Sequence, residues 1–139
     1  MCSGVYKDRF IERRSAFTPT TQMTRKIIII EDDPDTLDIM SYILADEGYE
    51  TIAAKNSQPL HEVHNLQPML ILLDNRLTEG LGRDFCRQFK SDPATMHFPV
   101  ILVSANPGLE AMARDSNADG YLPKPFDIAD LVNLVKKFE

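Results

Sequence analysis

Ile27-Ile28-Ile29-Ile30-Glu31-Asp32-Asp33 is the stretch that decides the fold. A continuous β-branched apolar run predicts a parallel strand buried on both faces. Three acids at its end need solvent or a ligand. In open α/β sheets ligands bind at the carboxyl ends of strands. Clustered carboxylates repel one another and favour a bound divalent cation, and oxygen donors suit Mg²⁺, Mn²⁺ or Ca²⁺ better than Zn²⁺. Asp33 also has a structural reading. Followed by Pro34, it is a helix N-cap with proline at the first helical position. That leaves Glu31 and Asp32 as the acids to explain.

The same pattern recurs downstream. Met69–Leu73 is apolar throughout and ends at Asp74. Val100–Val103 ends at Ser104, and a short strand at Tyr121–Leu122 is followed by Pro123-Lys124-Pro125. Acid, acid, hydroxyl and lysine, each at a strand end, make one chemical set. The carboxylates hold a cation and supply a nucleophile, while the hydroxyl and the ammonium meet phosphoryl oxygens.

Between the strands, helical patterns alternate. Asp35–Glu47 carries Leu37, Met40, Ile43 and Leu44 on one side, with Gly48 as terminator. Thr51–Ala54 is a short strand and Leu60–Leu66 a short helix. Gly82–Lys90 presents Phe85, Cys86 and Phe89, and Leu109–Asp115 is a weakly apolar helix. Asp127 caps the last helix, with Asp130 completing a capping box and Ile128, Leu131, Val132 and Val135 forming its stripe. Five βα units with right-handed crossovers imply an α/β fold, a five-stranded parallel sheet between two helix layers.

The segments Ile27–Asp33, Leu72–Leu77, Val100–Ala105 and Ala118–Phe126, with Asp92-Pro93-Ala94-Thr95 before the fourth strand, resemble the receiver domain of response regulators in two-component signalling. The likeness runs from about residue 25 to 139. It implies a flavodoxin-like (βα)5 sandwich with strand order 2-1-3-4-5, which sets the first and third strands side by side. It further implies that Asp74 accepts a phosphoryl group, that Asp32 ligates Mg²⁺ (or Mn²⁺) directly and Glu31 through water, and that the backbone carbonyl of Arg76 is a further ligand. Lys124 and Ser104 would meet the phosphoryl group. Tyr121 would be the switching aromatic, turning inward as Ser104 moves. The Lys124–Pro125 peptide is expected to be cis. The donor would be a sensor histidine kinase or a histidine phosphotransfer protein, and an unidentified downstream protein the target.

Four features depart from the family pattern. Asn75 stands where an apolar residue is usual, Arg76 is large and cationic, the loop Thr78–Gly82 lacks the usual proline, and the segment from Ser104 to Tyr121 is short, with Pro107 and Gly108 interrupting its helix start. Arg76 has Glu31 and Glu79 as candidate ion-pair partners, or covers the site from attacking water. An aspartyl-nucleophile phosphatase dependent on Mg²⁺ is an alternative reading, but such enzymes carry a second acid where this chain has Arg76. An unphosphorylated scaffold is another, opposed by the intact set of Asp32, Asp74, Ser104 and Lys124. The reading is therefore a signalling module, not an enzyme, standing alone because the chain ends with the fifth helix.

The chain has 139 residues, 43% hydrophobic and 26% charged, which suits one domain. Residues 1–24 carry a net charge of +2 and read as a flexible extension, with Met23 a candidate alternative start, while residues 25–139 form the receiver unit with a net charge of −8. An acidic body argues against nucleic acid as a partner. No membrane-length apolar run or signal sequence is present, and Cys2 and Cys86 make no disulfide framework, so a cytoplasmic setting is expected. Cys86 reads as a small core residue. His61 and His64 read as exposed helix residues rather than metal ligands.

Overall fold

The structure, a computed structural model, describes residues 25–139 and, before them, only Cys2–Gly4 and Tyr6–Lys7, which pair as antiparallel strands. The expectation of a flexible extension falls largely outside the described residues. From Lys26 onward the order is β1 (Lys26–Ile30), α1 (Pro34–Asp46), β2 (Glu50–Ala54), α2 (Val63–Leu66), β3 (Leu70–Asp74), α3 (Gly82–Ser91), β4 (Val100–Ser104), α4 (Leu109–Asp115), β5 (Gly120–Pro123) and α5 (Ile128–Lys136). The five strands are all parallel and lie in the order β2-β1-β3-β4-β5.

The isoleucine run explains the layering. Successive strand residues point to opposite faces. Ile27 and Ile29 therefore join Leu70, Leu72, Ile101 and Val103 in a core closed by α1 and α5. Ile28 and Ile30 join Ile71, Leu73, Val100 and Leu102 in a second core closed by α2, α3 and α4. All four isoleucines are at most 1% exposed, each worth roughly 1.5–3 kcal/mol relative to an exposed side chain. β2 is the edge strand beside β1 and has no fully buried residue.

Local signals set the element ends. The Asp33 carboxylate accepts the Thr36 N–H at 2.9 Å with Pro34 first in α1, and Gly48 ends that segment at φ +95°. Asp127 and Asp130 form the reciprocal capping box of α5. Asp127→Ala is expected to cost about 1 kcal/mol of stability, read as a lower urea midpoint at unchanged m-value.

Two helix expectations need correction. Residues 58–62 form a 3₁₀ turn, and only one α-helical turn, Val63–Leu66, follows before Gln67 takes a left-handed conformation. Pro59 lies in the first turn, where proline is tolerated, and the left-handed Gln67 stops α2 after four residues, which leaves no room for a longer helix. Ile128 lies outside the α5 stripe at 63% exposure, because it is the first helical residue and the packed part begins at Leu131.

Cys86 is fully buried in the second core, where it donates to the Ser116 carbonyl at 3.5 Å, and burial pushes its thiol pKa up. Iodoacetamide at pH 7.5 should therefore leave Cys86 unmodified in the folded protein and alkylate it after denaturation, as peptide mapping would read.

Candidate functional site

The β2-β1-β3 order makes β1 and β3 neighbours, paired from Ile27↔Leu70 to Ile30↔Leu73. Extending that register sets Glu31 beside Asp74. The Lys124 ammonium lies 2.8 Å from a carboxylate oxygen of Glu31 and 2.8 Å from Oδ1 of Asp74. Asp32 closes the group: one carboxylate oxygen from each of Glu31, Asp32 and Asp74 lies within 4.8 Å of the others. This is the one three-residue cluster of metal-ligating side chains among the described residues. Its donors are all oxygen, which fits a hard divalent cation. His61 and His64 are exposed and lie outside it.

The cluster opens into a cleft of about 480 Å³, which Ser104 and Arg76 also line. Glu31 and Asp74 are 2% and 5% exposed at its floor. Burial pushes the pKa of Glu31 up, against the lowering effect of its hydrogen bonds to Lys124 and the Asp33 N–H. Burial alone would lower that of Lys124, but its hydrogen bonds to Asp74 and Glu31 outweigh it and the pKa is raised. Lys124 is positioned by β5, its N–H donating to the Ser104 carbonyl at 2.9 Å, and Lys124–Pro125 is cis. The Ser104 hydroxyl oxygen accepts the Asn106 N–H at 3.0 Å, a loop turn that leaves the hydroxyl proton out of the bond. Tyr121 lies outside the cleft and is 38% exposed.

Arg76 forms neither of its expected ion pairs. Glu31 is taken by Lys124, and the Glu79 carboxylate accepts Ser57 N–H and Oγ–H at 2.6 and 2.9 Å. The Arg76 side chain is exposed at the cleft mouth, while its N–H donates to Asp74 Oδ2 at 3.0 Å.

Two residues carry more than their sequence context suggests. Asn75 is buried, and its side-chain oxygen accepts the Arg83 N–H at 2.9 Å. It thereby caps α3, whose own N-cap residue, Leu81, has no capping side chain. Gly82 packs so close to β3 that a Cβ would sit 2.3 Å from the Asp74 carbonyl oxygen. Leu81 at the N-cap position of α3, where Ser, Thr, Asp or Asn is usual, was a signal that a cap must come from elsewhere.

The response regulator receiver domain family matches residues 27–136. This chain belongs to that family. The receiver is 32% identical over 117 residues to the DNA-binding response regulator MtrA of Mycolicibacterium smegmatis, covering 82% of this chain and 50% of that protein. Among solved structures it is similar to the signal receiver domain of a signal transduction histidine kinase from Syntrophus aciditrophicus (29% identity, TM-score 0.72, 81% of this chain and 88% of that one). It also shares the fold of the receiver domain of sensor histidine kinase PA1611 from Pseudomonas aeruginosa PAO1, a structure with a magnesium ion coordinated in its active site cleft (23% identity, TM-score 0.74, 83% and 97% covered). The chain spans about half the length of the curated relatives it matches. No helix among the described residues is long and apolar enough to cross a membrane.

Proposed function

We propose that this receiver accepts a phosphoryl group from a phosphohistidine of a kinase or phosphotransfer protein onto Asp74. The observation that carries the proposal is the Lys124 ammonium bridging Asp74 and Glu31, with the Asp32 carboxylate in the same cluster. A carboxylate oxygen of Asp74 attacks phosphorus, the P–N bond of the donor breaks, and an acyl phosphate forms. Lys124 supplies fixed positive charge to the incoming group. Ser104 has a hydroxyl proton to donate to a phosphoryl oxygen, because its present bond uses only its acceptor capacity.

Glu31, Asp32 and Asp74, with the Arg76 carbonyl, are the groups that would hold Mg²⁺ or Mn²⁺. Such a cation would offset the repulsion between the carboxylates and the phosphoryl anion. The magnesium of the Pseudomonas receiver supports this choice of ion. Engagement of Ser104 by the phosphoryl group would then open space for Tyr121 to turn inward from its outward, half-exposed setting. The surface of α4, β5 and α5 would change for a protein target.

Incubation with Mg²⁺ and acetyl phosphate tests the reading. One hydroxylamine-sensitive phosphoryl group per chain is expected, mapping to Asp74 and absent without the cation. Rapid multiple turnover would assign a phosphatase instead, and no labelling would assign a scaffold.

A further inference from the structure

The segment after Asp74 is a small hairpin in which Arg76↔Leu81 and Leu77↔Gly80 pair antiparallel. Two short strands alone are marginal in water, yet this hairpin carries the Arg76 carbonyl proposed as a metal ligand. Its base is pinned, since the Gly82 N–H donates to the Asn75 carbonyl at 2.7 Å. Its tip, Thr78-Glu79, is followed by Gly80 at φ +148°, a conformation that only glycine takes readily. Leu77 is buried beneath, while Thr78, Glu79 and Gly80 are exposed.

What secures the tip is Glu79. Its two carboxylate oxygens accept the Ser57 N–H at 2.6 Å and the Ser57 Oγ–H at 2.9 Å. These bonds join the β3–α3 loop to the β2–α2 loop. Ser57 is 7% exposed and stands at the N-cap of the 3₁₀ turn, but its hydroxyl makes no capping bond there. A residue type suited to capping its own helix instead directs its side chain to a carboxylate 22 positions away. Charge-assisted bonds of this kind are short and strong.

We infer that Glu79 is a positioning residue for the cation of the acidic cleft, its paired bonds to Ser57 holding the hairpin so that the Arg76 carbonyl is presented to the metal. The inference rests on the metal site of the proposed function. Groups that orient a ligand without touching the metal typically affect affinity by about 10–100-fold, and an effect relayed through backbone belongs at the lower end.

The test is calorimetric titration of Mg²⁺ into wild type, Glu79→Ala, Glu79→Gln, Ser57→Ala and Asp32→Asn, with circular dichroism to verify folding. Binding is expected to weaken about tenfold in Glu79→Ala, less in Ser57→Ala, which keeps the backbone donor, and to recover in Glu79→Gln, whose amide still bonds both Ser57 groups. The Glu79→Ala, Ser57→Ala double variant should be no weaker than Glu79→Ala. Hydrogen exchange of the Arg76–Leu81 amides should show Mg²⁺-dependent protection in wild type that Glu79→Ala loses. Wild-type affinity in a folded Glu79→Ala, with Asp32→Asn defective, would overturn the inference and leave the metal site standing, as would a fall in thermal midpoint alone. Failure of wild type to bind Mg²⁺ would remove both.

Discussion

Asp74→Asn is expected to take up no phosphoryl group from acetyl phosphate and Mg²⁺ while wild type is labelled, with retained far-ultraviolet circular dichroism. The amide is isosteric with the carboxylate. It still offers an oxygen to the Arg76 N–H or to Lys124, the two donors that Asp74 meets at 3.0 and 2.8 Å. What it loses is the anionic nucleophile. The variant separates chemistry from folding, because Glu31, Asp32 and Asp74 oppose a single ammonium from Lys124 in this cluster. Removing one carboxylate relieves repulsion between like charges. The thermal midpoint at low ionic strength is therefore expected to equal or exceed that of wild type, and Mg²⁺ affinity to fall. Undiminished labelling in Asp74→Asn would place the phosphoryl group on another residue.

Gly82→Ala is expected to destabilise the fold by about 1–3 kcal/mol and to slow labelling of Asp74, although residue 82 carries no chemistry. The added methyl would lie 2.3 Å from the Asp74 carbonyl oxygen and 2.9 Å from the Asn75 Cα. Both are backbone atoms of the segment that presents the nucleophile, so neither swings aside as a flexible side chain would. Relief requires α3 to retreat from β3. That movement strains the Gly82 N–H to Asn75 carbonyl bond (2.7 Å) and the cap from Asn75 to Arg83 (2.9 Å). Urea denaturation measures the stability, and labelling time courses under fully folding conditions measure the displacement. Wild-type values for both would mean that the contact relaxes at no cost.

The parts of the fold legible in the sequence were those written in local periodicity. An unbroken apolar run such as Ile27–Ile30 or Leu70–Leu73 suits a strand covered on both faces, and both runs are buried as such. The helix caps at Asp33 and Asp127 were equally local, each bonding a backbone N–H three residues on. Ile128 shows where periodicity fails: the i, i+3 spacing put it on the stripe, but a helix's first residue extends beyond the surface that the helix covers.

The candidate site was legible as a set of residues at strand ends, and less so as a set of contacts. Asp32, Asp74 and Lys124 were readable because the chemistry at successive strand ends converges once the strand order is known. The partner of each charge was not. Arg76 had two acids as candidate partners, and each acid found a closer donor, Lys124 for Glu31 and Ser57 for Glu79. Asn75 looked like a departure from pattern and is a cap for a helix lacking one.

Residue order alone settled where the five parallel strands and the helices α1, α3, α4 and α5 form, and that acids, a hydroxyl and a lysine would stand at one edge of the sheet, because hydrophobic period and capping act over three or four residues. The packed chain decided which carboxylate takes the ammonium, which serine holds the hairpin and why position 82 has no side chain. Those outcomes turn on differences of an ångström or less between groups far apart along the chain, and only the folded backbone sets such distances.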